Sequence, residues 1–370
     1  MQLYDTHLGA VVPFEPGPTV LMYVCGITPY GATHIGHAAT YVTYDVLQRR
    51  LRDLGHETRC VRNITDVDDD ILAAARRRGV HYLDLAFGET ARFDDDMVAL
   101  NTLPPWSAPR DQGDPRHPWG DRVGPRSRLR LRRRGTVYFD TRAAADFGSL
   151  GGLGRDRMQQ LAIEWRENPS DPNKRDPLDF VMWRPSADGE PAWESRWGRG
   201  RPGWHVECSA LALRELGPTI DLHGGGVDLL YPHHECVRAQ SEAATGVPFV
   251  RHWMHQSMVH LDGRKMSKST GNLVFVHELR DHHDPMAIRL ALGAHHYRRP
   301  WQWSAELLRD AEARLARWRA AGRGSAGLDE VRAHLDDDLD VPAALAVVDD
   351  AAADGGGVSE AAALLGVDLS

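Results

Sequence analysis

Two short segments, far apart in the chain, carry residue types suited to handling a triphosphate. His34-Ile35-Gly36-His37 lies where an apolar, strand-like run gives way through a loop to a helical pattern. Backbone N–H groups and the helix dipole favour phosphate at such a place, two imidazoles add donors, and Gly36 lets a nucleotide come close to the backbone. Downstream, Gly263-Arg264-Lys265-Met266-Ser267-Lys268-Ser269 reads as a loop. Its two ammonium groups can clamp the α-, β- and γ-phosphates as charge moves onto a leaving pyrophosphate. Either segment alone would suit a plain surface loop; their order and separation on an α/β background make the pair specific. Of the 44 basic residues only Lys174, Lys265 and Lys268 are lysine, and two of these fall in the second segment. A compact ammonium differs there from a planar guanidinium. Drift in a GC-rich genome accounts for the bias equally well.

The elements that must position these residues are legible from periodicity. Thr19 to Cys25 is an apolar β-rich run, followed by a Gly/Pro turn and a helical pattern through Val42, Val46, Leu47, Leu51 and Leu54 before Gly55. Glu57 to Thr65 predicts the next strand and Asp66 to Arg78 a short helix. Further strands are expected at Thr136 to Asp140, Thr219 to His223 and Trp253 to Leu261, alternating with helices near Trp204 to Leu216 and Pro232 to Thr245. This alternation predicts an α/β fold with a doubly wound parallel sheet whose ligands sit at the carboxyl ends of the strands. Beyond Trp303 the pattern is helical, with Leu307, Leu308, Ala311, Leu315 and Trp318 on one face, and it closes in an Ala- and Asp-rich tail. The expected organisation is 1–103, the first half of a nucleotide-binding catalytic domain; 104–200, a connective insertion; 201–300, its second half; and 301–370, a helical appendage. Pro104 to Gly135, with nine Arg, three Asp and neither Glu nor Lys, shows no periodicity. It reads as an irregular insertion rather than a nucleic-acid arm, because no aromatic platform alternates with the arginines.

Composition bounds the function. With 370 residues, 42% hydrophobic and 26% charged, the chain can bury a full core. No apolar run approaches the ~20 residues of a membrane span, and no basic-then-apolar N-terminal signal is present, so a cytoplasmic location without membrane contact is expected. A net charge of -8 argues against stable nucleic-acid binding. Four scattered cysteines, Cys25, Cys60, Cys208 and Cys236, form no disulfide framework, so each is a thiol, a core residue or a metal ligand.

Taken together, the two phosphate segments resemble the HIGH and KMSKS motifs of class I aminoacyl-tRNA synthetases. Tyr23-Val24-Cys25-Gly26, Arg201 to Ser209, Gly224 to Asp228 and Pro232-His233-His234-Glu235 are similar to the cysteine branch of that class. Cys25, Cys208 and His233 offer two thiolates and an imidazole from separate segments, which suits a zinc ion with an open position. Without the motif context, two buried thiols would read as well. An open zinc selects cysteine, because a substrate thiolate completes the tetrahedron whereas serine's hydroxyl is a poorer ligand. Within the branch, the chain resembles the mycothiol-pathway ligases more than cysteinyl-tRNA synthetases. Cys25 to Tyr30 and His37 to Tyr41 match the ligase versions, and Val237 stands where synthetases commonly place a fourth ligand, Glu. Glu167 to Pro172 lies at the ligase's Glu-Arg-Gly-Gly-Asp-Pro region, with Asn168-Pro169-Ser170 departing from it. The end of the chain, through Asp340 to Leu345 and Leu364 to Val367, is similar to the ligase's own terminus, so no anticodon-recognising region is expected. Pro104 to Gly135, His223 and Cys236 depart from the ligase pattern, and Cys236 reads as a packed thiol sooner than as a further metal ligand.

The resemblance implies a function: activation of L-cysteine with ATP, with magnesium as the nucleotide's counter-ion, and transfer to the amine of glucosaminyl-inositol by a monomer. It implies zinc at Cys25, Cys208 and His233; Cys25, Gly26, Ile27, Thr28 and Thr40 around the cysteinyl adenylate; and Asn63, Ile64 and Thr65 at the end of the second strand. Trp204 walls the amino-acid pocket, Gly226, Val227 and Asp228 contact adenosine, and Val259 lies against adenine. His34, His37, Lys265 and Lys268 stabilise the phosphoryl charge. Asp228, Asp66 and His205 are open candidates for the base of the second step. A tRNA-charging synthetase, an amide ligase with another acceptor and a catalytically silent paralogue remain as alternatives.

Overall fold

The structure is a computed structural model that describes residues 1–110, 130–133, 135–266 and 271–370. A hairpin of β1 (Gln2–Asp5) and β2 (Ala10–Pro13) precedes β3 (Thr19–Ile27), α1 (Ile35–Asp53) and β4 (Glu57–Ile64). Helices α2 (Asp69–Arg78) and α3 (Tyr82–Ala99) follow. The connective unit holds an antiparallel sheet of β5 (Arg130–Arg133), β6 (Thr136–Phe139), β7 (Phe180–Arg184) and β8 (Arg201–Pro202), with α4 (Arg155–Glu164) between β6 and β7. The chain then returns through α5 (Trp204–Glu215), β9 (Ile220–Gly226), α6 (Glu235–Thr245) and β10 (Val250–Gln256). A three-stranded sheet of β11 (Val259–Leu261), β12 (Arg264–Lys265) and β13 (Trp301–Gln302) brackets α7 (Val276–Arg280) and α8 (Pro285–Gly293). Helices α9 (Ala305–Ala321), α10 (Leu328–Asp336), α11 (Val341–Ala353) and α12 (Ser359–Leu364) complete the chain.

The central sheet has the order β10-β9-β3-β4, and every pairing in it is parallel. One crossover, β3 to β4 through α1, runs away from the other, β9 to β10 through α6, so the strand order reverses between β3 and β9. That is the switch point at which ligands of such sheets bind, just beyond the carboxyl ends. Val20, Met22 and Val24 of β3 alternate inward and join α1, α8 and the C-terminal helices in one hydrophobic core. Leu308, Ala311, Leu315 and Trp318 supply the buried face of α9, as their spacing predicts.

Two expectations need correction. Trp253 to Leu261 is two strands in two sheets, because the parallel run ends at Gln256 and the chain resumes beside β13. Pro104 to Gly135 is not wholly irregular among its described residues: Arg130–Arg133 pairs with β6, and residues 106–110 run along β4. Arg62 N–H donates to Ser107 O at 3.1 Å and Ile64 N–H to Pro109 O at 2.9 Å. β4 is the edge of the sheet, and its exposed N–H groups recruit the following segment whatever that segment's side-chain periodicity. Residues 111–129 and 134 of that stretch lie outside the described residues.

Candidate active site

Helix α1 begins at the first phosphate segment. His34 is its N-cap: Nδ1 accepts the N–H groups of Gly36 at 3.1 Å and His37 at 3.4 Å. The rings of His34 and His37 stack with centroids 3.8 Å apart. Gly36 also serves this cap. A Cβ there would meet the His34 ring at 3.0 Å, so the glycine makes room for the capping imidazole. Lys265 lies in β12, opposite His260 of β11; its side chain and Lys268 fall outside the described residues.

The residues expected around an adenylate gather along the switch point. Cys25, Gly26 and Ile27 end β3, with Thr28 next; Asn63 and Ile64 end β4, with Thr65 next; Gly226 ends β9, and Val227 and Asp228 form the turn beyond it. Gly26 is required by the close approach of two strands. Its N–H donates to Asn63 Oδ1 at 2.9 Å, and a Cβ would fall inside the van der Waals radius of the Asn63 carbonyl oxygen. Asn63 in turn donates from Nδ2 to Thr65 Oγ1 at 3.0 Å. Thr40 Oγ1 turns back to Gly36 O at 3.2 Å. Trp204 opens α5, half-buried, and Val259 opens β11, buried.

Cys25, Cys208 of α5 and His233 of the turn Leu230–His234 converge, their donor atoms all within 4.8 Å of one another and all three residues buried. Zinc bonds of about 2.3 Å to sulfur and about 2.0 Å to nitrogen in a tetrahedron space the ligand atoms by roughly 3.5–3.8 Å. Cys25 Sγ and Cys208 Sγ are 4.0 Å apart, and His233 Nε2 is 3.2 Å from Cys208 Sγ. The residues therefore fit the ion. Behind them, His205 Nδ1 sits 3.0 Å from His233 Nδ1, the outer-shell contact that orients a ligating imidazole. Burial holds His233 and His234 well below the ordinary imidazole range and takes His205, His223 and His255 to about 3, so all five are neutral near pH 7. Cys236 is buried away from this set, against Val206 and Ala239, and its thiol is pushed up by burial.

Sequence reasoning missed a second imidazole facing the same sulfur. His234 Nε2 is 3.2 Å from Cys25 Sγ, its Nδ1 is 2.8 Å from His255 Nε2, and His255 Nδ1 is 2.9 Å from Thr6 Oγ1. Cys25, His223 and His234 form a second donor set that shares the thiol. His223 has no hydrogen-bond partner for either ring nitrogen among the described residues. Tyr44 was also missed: its hydroxyl accepts Gly225 N–H at 2.9 Å and donates to Met254 O at 2.6 Å, tying β9 to β10 beneath the site. Adjacent histidines in His233-His234 were the available signal; which thiol each faces has no local signature. Lys174 lies apart from the two phosphate segments. Its buried ammonium pairs with Glu167 Oε2 at 3.2 Å in the connective unit.

A doubly wound parallel sheet, a capped helix at its switch point and a thiol–imidazole cluster beside it define a class I synthetase catalytic unit. The family described as tRNA synthetases class I (C) catalytic domain matches residues 12–313. An L-cysteine:1D-myo-inositol 2-amino-2-deoxy-alpha-D-glucopyranoside ligase of Streptosporangium roseum is 47% identical, covering 100% of this chain and 96% of that protein. The protein of the same name from Thermobispora bispora is 49% identical over 96% of this chain and 90% of its own length. The chain belongs to this ligase family within the class I synthetases and is an ATP-dependent ligase. Among solved structures, Mycobacterium tuberculosis methionyl-tRNA synthetase with methionyl-adenylate aligns with a TM-score of 0.62 at 18% identity, covering 90% of this chain and 82% of that one. That likeness carries the fold alone. No described helix is long and apolar enough to cross a membrane.

Proposed function

We propose that the protein activates L-cysteine with ATP as cysteinyl-AMP and transfers the cysteinyl group to the amine of glucosaminyl-inositol, a step of mycothiol biosynthesis. The observation that carries this reading is the buried Cys25–Cys208–His233 cluster at the carboxyl end of β3, with Val237 in place of a fourth ligand. Bound there, zinc would supply a Lewis-acidic position that takes a substrate thiolate in preference to a hydroxyl.

In the first step a carboxylate oxygen of cysteine attacks the α-phosphorus and pyrophosphate leaves. The N-terminus of α1, His34, His37, Lys265 and Lys268 stabilise the charge that moves onto the leaving group. Gly26, Thr28, Thr40 and Asn63 to Thr65 line the adenylate, Trp204 closes the amino-acid side, and Gly226, Val227, Asp228 and Val259 hold the adenosine. In the second step the acceptor amine attacks the carbonyl carbon, the bond to the phosphate oxygen breaks, and AMP leaves with the electron pair. No residue of the chain is acylated; orientation does the work. Asp66, Asp228 and His205 are the candidates to take the ammonium proton; the contact with His233 engages His205 Nδ1 and leaves its Nε2 without a partner among the described residues. Magnesium with ATP, action as a monomer and a cytoplasmic location belong to the same reading.

The test is an incubation of zinc-loaded protein with L-cysteine and ATP, offered glucosaminyl-inositol in one arm and tRNA for cysteine in another, with AMP and each product measured by mass spectrometry. Cysteinyl-glucosaminyl-inositol without charged tRNA is the expected result. Charged tRNA would replace this reading with a synthetase, and absence of pyrophosphate exchange would leave a catalytically silent paralogue.

A further inference from the structure

Three aromatic rings lead from the metal cluster toward solvent. His233 stacks on Trp204 with centroids 4.3 Å apart, and Trp204 meets Trp165 at 5.2 Å, tilted by 31°. Both indoles are half-buried. Trp165 comes from the connective unit, at the C-cap of α4, and its position there is enforced. Arg166 N–H donates to Ile163 O at 2.9 Å and Glu167 N–H to Ala162 O at 2.8 Å, the paired bonds of a Schellman ending. The left-handed residue of such an ending is usually glycine; here it is Arg166, at φ 62°. An L side chain is strained in that region, and such strain persists where the surroundings hold it.

The Arg166 guanidinium pairs with Asp70 in the first turn of α2, the helix that follows the adenylate-lining strand end Asn63 to Thr65. Arg184 and Arg201 of the same unit pair with Asp69. These three ion pairs, with Arg76–Glu190, join the connective unit to α2, the first of them from the residue that follows Trp165. With all three arginines engaged by carboxylates, this rim has little to offer a phosphodiester chain. A flat indole backed by a second indole, rimmed by a carboxylate and a guanidinium that can bind hydroxyls, suits the C–H face of a polyhydroxylated ring.

We propose that Trp165 is a specificity-determining residue, forming with the Arg166–Asp70 pair the outer wall on which a polyhydroxylated amine acceptor lies. This rests on the ligase reading above. The experiment measures steady-state KM for glucosaminyl-inositol, pyrophosphate exchange, and trapping of the adenylate by hydroxylamine, an acceptor with no ring, in wild type, Trp165→Ala and Trp165→Phe. Trp165→Ala is expected to raise acceptor KM about tenfold or more while exchange and hydroxylamine trapping hold, with Trp165→Phe recovering most of the affinity. An unchanged KM would overturn the assignment, as would parallel loss of exchange, which would mean that Trp165 merely props Trp204. If wild-type protein exchanges pyrophosphate yet leaves glucosaminyl-inositol untouched, the ligase reading itself falls and takes this assignment with it.

Discussion

Cys25 faces His234 at 3.2 Å and belongs to two overlapping donor sets, one completed by Cys208 and His233 and the other by His223 and His234. The first offers two thiols, and its imidazole has an outer-shell partner in His205. His233→Ala is therefore expected to lose most bound zinc, whereas His223→Ala retains it; metal content per chain after dialysis decides between them, and the reverse order would move the ion to the second set. A neighbouring position tests the strand approach. Gly26→Ala puts a methyl against the Asn63 carbonyl, which must shift with its strand. A loss of about 1–3 kcal/mol in urea unfolding and a collapse of pyrophosphate exchange are expected; unaltered exchange would show that the two strand ends have slack.

At the scale of elements, α2 illustrates how a cap can cost stability. Asp68 is its N-cap and accepts Asp70 N–H at 2.6 Å. Burial pushes its carboxyl up to about 6; that N–H pulls the other way, and the Asp70 and Asp69 carboxylates add to the rise. A raised carboxyl pKa means that the folded state holds the proton more tightly. The group's stabilising share is complete below its unfolded value of 3.8, declines as pH rises, and is lost above about 6. Asp68→Asn keeps a good cap without the charge. It is expected to be about 1–2 kcal/mol more stable than wild type at pH 7.5, a figure reduced for the partial exposure of the site, and to converge with it near pH 3.5. Equal unfolding midpoints at both pH values would show that the ionised cap carries no penalty. The periodicity of α1, α5 and α9 made these helices legible in advance. The strand pairing of 106–110 was not, since it answers to the open edge of β4 rather than to its own residues.

For the molecule as a whole, the nucleotide core and the C-terminal helices are joined by the hydrogen bond of a buried, ion-paired arginine as well as by one hydrophobic core. Arg289 of α8 donates to Leu365 O at 2.9 Å and Leu100 O at 2.8 Å and pairs with Asp45 of α1. Burial alone would raise the Asp45 carboxyl, but Arg289, then Arg49, more than offset this and hold it below the ordinary carboxylate range. Arg289→Met strands that carboxylate in the interior and frees two carbonyls. The expected loss is about 3–5 kcal/mol by urea denaturation followed with circular dichroism. A loss below about 1 kcal/mol would mean that Arg49 alone satisfies Asp45.

Local patterns in the sequence determined the parallel α/β alternation, the helix start at His34 and the ligase family, because caps, periodicity and motif spacing are properties of neighbouring residues. Tertiary structure alone decided which imidazole meets which thiol, that Lys174 serves a buried pair, and that Trp165 stands beside Trp204. The Cys25–Cys208 and Cys25–His234 contacts join residues 183 and 209 positions apart. Only the closing of the two halves of the sheet around their switch point brings such positions together, and no local preference encodes that closure.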